Sequence, residues 1–97
     1  MTALHIVNRS PSEGRALATA LALLRDGDAL LLIEDGVIAA GLTHPALSSL
    51  SERKISLYAL GPDLLARGLT AARRINVIDY TGFVELTTQY KTLRHWH

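Results

Sequence analysis

Apolar and polar positions change period several times along the chain, and each change marks a predicted element. Residues 3–7 form a short apolar run with the pattern of a strand. Ser10-Pro11-Ser12-Glu13 then reads as a helix start, with Ser10 as N-cap, Pro11 at the first helical position and Glu13 three residues after the cap. Leu17, Ala20, Leu21 and Leu24 recur at helical spacing and give that helix one apolar face, which Asp26-Gly27 closes. Residues 29–33 are apolar at every position, the pattern of a strand covered on both faces.

Glu34-Asp35-Gly36 turns the chain, and Val37 to Ala40 make about one helical turn. Thr43 is the expected cap of a second short helix through Pro45, Leu47 and Leu50. Residues 55–60 predict a third strand, followed by a short helix that Gly61-Pro62-Asp63 opens and Gly68 closes. Residues 75–78 predict a fourth strand. Thr81 is the expected cap of a last helix, with Phe83, Leu86 and Tyr90 on one face. The tail from Lys91 to His97 is basic and is read as a flexible end.

Strand and helix alternate four times with short connections, the arrangement of parallel strands joined by right-handed crossovers. The expected fold class is α/β: residues 1–97 as one three-layer domain, with a mostly parallel four-stranded sheet and helices on both faces. A chain of 97 residues supplies one domain. With 48% apolar residues its core needs neither a disulfide nor a metal.

Composition narrows the chemistry. There is no cysteine, which excludes disulfides, thiolate metal sites and any thiol or persulfide nucleophile of the chain's own. Formal charge is +1, from ten basic and nine acidic residues, so no broad attraction for nucleic acid or anionic membrane is expected. Arg73-Arg74 and the tail cations Lys91 and Arg94 read as a solvated basic edge, short of the about six to ten phosphate contacts of a strong nucleic-acid binder. No basic leader precedes an apolar stretch, and no unbroken apolar run exceeds five residues. A cytoplasmic protein is the expectation.

In an open α/β sheet, ligands collect beyond the C-terminal ends of the strands. That rim carries Ser10, Asp35, Gly36 and Asp63, which with Trp96 are the candidate rim or interface residues. Ser10 at a helix start could hold a phosphate, although capping accounts for it and no glycine-rich phosphate motif accompanies it. Asp35 and Asp79 could form an acidic pair for acid–base work, but both fit ordinary turn chemistry. His5, His44, His95 and His97 are scattered, and His5 inside a strand reads as a hydrogen-bonded structural histidine. No catalytic, metal or cofactor-binding set emerges. Trp96 either packs on a partner or folds back on its own domain.

Several stretches taken in order resemble one family. Leu4-His5 with Asn8-Arg9-Ser10-Pro11, residues 27–32 with Glu34-Asp35-Gly36-Val37, Tyr58-Ala59-Leu60 with residues 63–69, and Asp79-Tyr80-Thr81 with Phe83-Val84, Leu86-Thr87 and Trp96 are similar to the TusB/DsrH family over essentially the whole chain. The resemblance implies a DsrE-like fold, of Rossmann or flavodoxin-like character. It also implies a noncatalytic place in a TusBCD-like sulfurtransferase complex that relays persulfide sulfur for 2-thiolation of the tRNA wobble uridine. The implied partners are TusC-like and TusD-like subunits in a heterohexamer (a dimer of heterotrimers), a TusA-like donor and a TusE-like acceptor, with tRNA met only indirectly. In the cysteine-bearing relative the reactive residue precedes a stretch ending in Arg-Gly; counting back from Arg67-Gly68 puts that position at Leu60 or Gly61. The absence of cysteine departs from the sulfur-oxidising DsrH proteins and favours the tRNA-modification branch. The competing expectation is a stand-alone phosphate- or nucleotide-binding α/β domain using Ser10 and Gly36.

Overall fold

Leu30, Leu31 and Leu32 are each 1% exposed or less, the burial on both faces that an uninterrupted apolar run predicts for a central strand. The strand that contains them, β2 (Ala29–Leu32), pairs in parallel with β1 (Ala3–Val7) on one side and β3 (Ser56–Leu60) on the other. β4 (Asn76–Ile78) extends the sheet beyond β3 and β5 (Thr92–Trp96) extends it beyond β1, giving the order β4-β3-β2-β1-β5 with every pair parallel. This computed structural model describes residues 2–41 and 44–97, without the side chains of residues 46 and 51. The expected Thr43 cap lies outside the described residues.

Two apolar layers sandwich the sheet. One packs α1 (Ala16–Leu23), α2 (Val37–Gly41), α3 (Pro45–Ser48) and α4 (Gly61–Ala66) against Val7, Leu30, Leu32, Leu57 and Ala59. The other is covered by α5 (Tyr80–Gln89), whose Phe83 and Leu86 meet Leu4, Ile6, Leu31 and Leu60, with Tyr90 just beyond its end. α5 has to connect one edge strand to the other, so it crosses the whole second face. Complete burial of a leucine contributes about 1.5–3 kcal/mol, and the four central leucines Leu4, Leu30, Leu31 and Leu32 therefore anchor the fold.

Three expectations need correction. The sheet has five strands rather than four, because the tail is not a loose end but the edge strand β5. Ser10 does not cap α1, which begins at Ala16. Gly14, at φ +99, breaks helical continuity after the Ser10–Glu13 turn, and Arg15 takes the cap position without a side-chain hydrogen bond. The last helix is capped by Asp79 rather than Thr81: its Oδ1 accepts from the Gly82 amide at 2.8 Å.

Candidate functional site

The C-terminal rim of the sheet brings Asp35 and Asp63 together but leaves neither carboxylate free. At the end of β2, Glu34 has φ 50, a left-handed conformation that costs energy for a residue with a side chain. The Asp63 carboxylate holds it there by accepting the Glu34 N–H at 2.6 Å. Arg67 donates from Nε and Nη2 to Asp35 Oδ1 at 3.0 and 2.9 Å, and from Nη1 to the Asp63 carbonyl at 3.0 Å. These bonds tie the end of β2 to α4.

Gly36 serves the same junction by lacking a side chain. A Cβ there would fall on the Val7 carbonyl oxygen, so only glycine lets the turn close over β1. Ser10 is 6% exposed; its hydroxyl bonds the Ser12 hydroxyl at 3.0 Å and accepts from the Ser12 amide at 3.4 Å. Asp79 is occupied as a helix cap. Each rim candidate thus has a structural task, and the expected Asp35–Asp79 pair finds its carboxylates engaged apart, one by Arg67 and the other by the Gly82 amide. Among the described residues no group of three or more His, Cys, Asp or Glu side chains could hold a metal.

Leu60 is the last residue of β3 and is 3% exposed; Gly61 opens α4. A Cβ on Gly61 would lie 3.1 Å from Val77 Cγ1 and 3.3 Å from the Ile78 carbonyl oxygen. Neither Leu60 nor Gly61 carries a thiol, and at Gly61 a side chain would crowd its neighbours. An open cleft of about 470 Å³ beside it is lined by Gly61, Pro62, Val77, Ile78, Asp79 and Gly82.

Trp96 folds back on its own domain. Its indole Nε1–H donates to His5 Nδ1 at 3.0 Å, and the two rings lie edge to edge and nearly coplanar, with centroids 6.2 Å apart and 6° between planes. An acceptor at Nδ1 puts the neutral imidazole's proton on Nε2, which donates to Asp28 Oδ2 at 3.1 Å. Asp28 also accepts from the Ala3 amide at 2.8 Å and the Arg25 amide at 3.0 Å. Burial pushes its carboxyl upward, but the two amides and His5 together outweigh that and hold it below the ordinary value. His5 is the structural histidine that its place in a strand suggested. Its partners could not be read locally, since Trp96 lies 91 residues away.

The surface carries a second feature that apolar periodicity alone does not reveal. Besides Leu23 and Leu93, which are half exposed, four large hydrophobics are exposed: Leu65 (82%), Val77 (55%), Tyr80 (60%) and Val84 (63%). All four lie on β4 or on α4 and α5, the helices that precede and follow it, and β4 is a three-residue edge strand. Tyr80 and Val84 stand four apart on α5, on a face turned from Phe83 and Leu86. Concentrated apolar exposure of this kind marks an interaction surface.

A family model described as DsrH like protein matches residues 9–93. Proteins described as Protein TusB from Escherichia coli K12 and from Shigella sonnei are 45% identical over 95 residues, covering 96% of this chain and 99% of theirs. Among solved structures, the ychN protein of E. coli superposes with a TM-score of 0.78 at 18% identity, covering 99% of this chain and 100% of that one. Protein Tm0979 of Thermotoga maritima gives 0.66 at 24% identity over 90% of this chain and 92% of its own. Those two likenesses establish the α/β fold; the full-length sequence match establishes descent. The chain belongs to the TusB/DsrH family.

Proposed function

We propose that this chain is the noncatalytic, structural subunit of a TusBCD-like sulfurtransferase complex that relays persulfide sulfur for 2-thiolation of the tRNA wobble uridine. The observation that carries the proposal is full-length similarity to TusB in a chain with no cysteine. A relay needs a thiolate that becomes a persulfide, and only a partner can provide it. The chain's part is to bind and orient that partner. In this reading TusC-like and TusD-like subunits of the same fold join it in a dimer of heterotrimers in the cytoplasm. A TusA-like donor and a TusE-like acceptor meet the complex at the cysteine-bearing subunit.

The surface around β4 suits that role. Burying Val77, Tyr80 and Val84 against a relative would remove apolar area from water without disturbing the chain's own core. The closed Asp35–Arg67–Asp63 junction keeps β2 and α4 in fixed relation. The stand-alone phosphate-binding alternative finds no support at Ser10, whose hydroxyl is engaged by Ser12.

The proposal is tested by reconstituting sulfur transfer from a persulfide donor through TusC-like and TusD-like partners, with and without this chain. Thiolated uridine is read by nucleoside mass spectrometry. Omission should lower transfer at least ~10-fold, about 1.4 kcal/mol of lost coupling. Full transfer in its absence would overturn the proposal.

A further inference from the structure

A formal charge of +1 conceals an uneven distribution of charge along the strands. Because all five strands run parallel, their N-terminal ends share one rim, and basic residues precede four of them. Arg25 stands in the turn before β2, Arg53 and Lys54 precede β3, Arg73 and Arg74 precede β4, and Lys91 precedes β5. These are six of the ten basic residues, all exposed. At the opposite rim stand Glu34, Asp35, Asp63 and Asp79, together with Arg9, Arg15 and the Asp35-paired Arg67, so that end is close to balanced.

Few acids oppose the basic rim. Asp28 is buried and committed to His5 and two amides, Asp26 pairs with Arg53 at 3.7 Å, and Glu52 is exposed. Arg53 also donates to the Leu24 carbonyl at 2.7 Å, which fixes it in the fold. Among the described residues the other five cations have no ion pair. With strands about 4.8 Å apart, the row crosses roughly 19 Å. Beside it, between the end of α1 and β5, opens a groove of about 620 Å³ lined by Arg25, Arg94, Thr2 and Thr92, with His5 and the hydrogen-bonded carboxylate of Asp28 also on its wall.

We propose that this N-terminal rim docks the phosphate backbone of RNA. Leaving out the paired Arg53 and counting Arg94, six exposed cations reach the lower end of the about six to ten phosphate contacts typical of salt-sensitive nucleic-acid binding. The sequence shows them only as separated pairs; the parallel topology collects them. What favours a polyanion is the number of cations along the row that have no acidic partner among the described residues; arginine alone would suit a folded partner as well. Threonine hydroxyls beside arginines add donors for phosphate oxygens. The choice of RNA over DNA rests on the proposed function; the charge row does not.

The test is fluorescence anisotropy of a labelled, unmodified tRNA transcript titrated with the full chain at increasing salt. Binding should weaken with salt with a log–log slope of magnitude about 4–5, the value for about six phosphate contacts. The triple variant Arg25→Glu/Lys54→Glu/Lys91→Glu should lose at least ~30-fold in affinity, and the milder Lys54→Gln/Lys91→Gln an intermediate amount. Arg9→Glu/Arg15→Glu, which reverses cations away from the rim, should lose less than ~3-fold. Absence of salt-dependent binding, or equal loss in both sets of variants, would overturn the proposal. So would competition by polyglutamate as strong as that by RNA, which would point to an acidic protein surface. Light scattering of the triple variant with its partners separates the two readings: lost RNA binding with intact assembly concerns the rim alone.

Discussion

Asp28 joins three parts of the chain through one carboxylate: the start of β1 by the Ala3 amide, the end of α1 by the Arg25 amide, and the C-terminal strand by way of His5 and Trp96. Its carboxyl is held below the ordinary 3.8, so the stabilisation is fully present above that value and is lost as pH falls through the lower folded value. Denaturant titrations from about pH 6 down to about pH 3 and below should show stability falling at the acid end, and Asp28→Asn should flatten that fall. Identical acid profiles for both proteins would contradict this. Trp96→Phe replaces the indole by a smaller aromatic ring and removes the N–H donor, leaving the buried His5 Nδ1 unsatisfied. It should cost about 1–3 kcal/mol and speed amide exchange across β5 first. Gly36→Ala should cost about 3 kcal/mol in urea unfolding, because the methyl group meets a backbone oxygen that cannot rotate away.

Elements whose pattern is local were legible in the sequence. β2 is apolar throughout because both its faces are covered, and α5 carries Phe83 and Leu86 at helical spacing because a single helix spans the second face. β5 was not legible. Residues 92–96 alternate weakly, four of the five are polar or aromatic, and three are exposed, since an edge strand has little to bury. What makes the segment a strand is pairing with β1 in the register Leu4 with Leu93 and Val7 with Trp96, a contact between the two ends of the chain. The start of α1 misled for the opposite reason: Ser10-Pro11-Ser12-Glu13 has the residues of a capping box, but Gly14 stops helical propagation and the serine hydroxyls turn to each other. Rim candidates Asp35, Gly36 and Asp63 were recognisable as turn residues. That they form one junction with Arg67 depends on α4 packing beside the end of β2, which no spacing encodes.

At the scale of the molecule, one end of the sheet is close to balanced in charge and tied by hydrogen bonds, the other is basic and open, and apolar side chains stand out around β4. Tyr80 and Val84 stand in water in the isolated domain, and the proposed assembly would cover them. Tyr80→Glu/Val84→Glu replaces two exposed side chains and should change the isolated chain's stability by less than about 1 kcal/mol. In the complex it should weaken assembly at least ~10-fold, because a buried, unpaired carboxylate opposes docking. Loss of folding together with loss of assembly would instead place those residues in the domain's own core. The most direct measurement is co-expression of this chain with the TusC-like and TusD-like proteins of the same genome, followed by mass determination by light scattering. The account predicts one particle containing all three chains, with the mass of two copies of each. A monomer of this chain that elutes apart from both partners would contradict it.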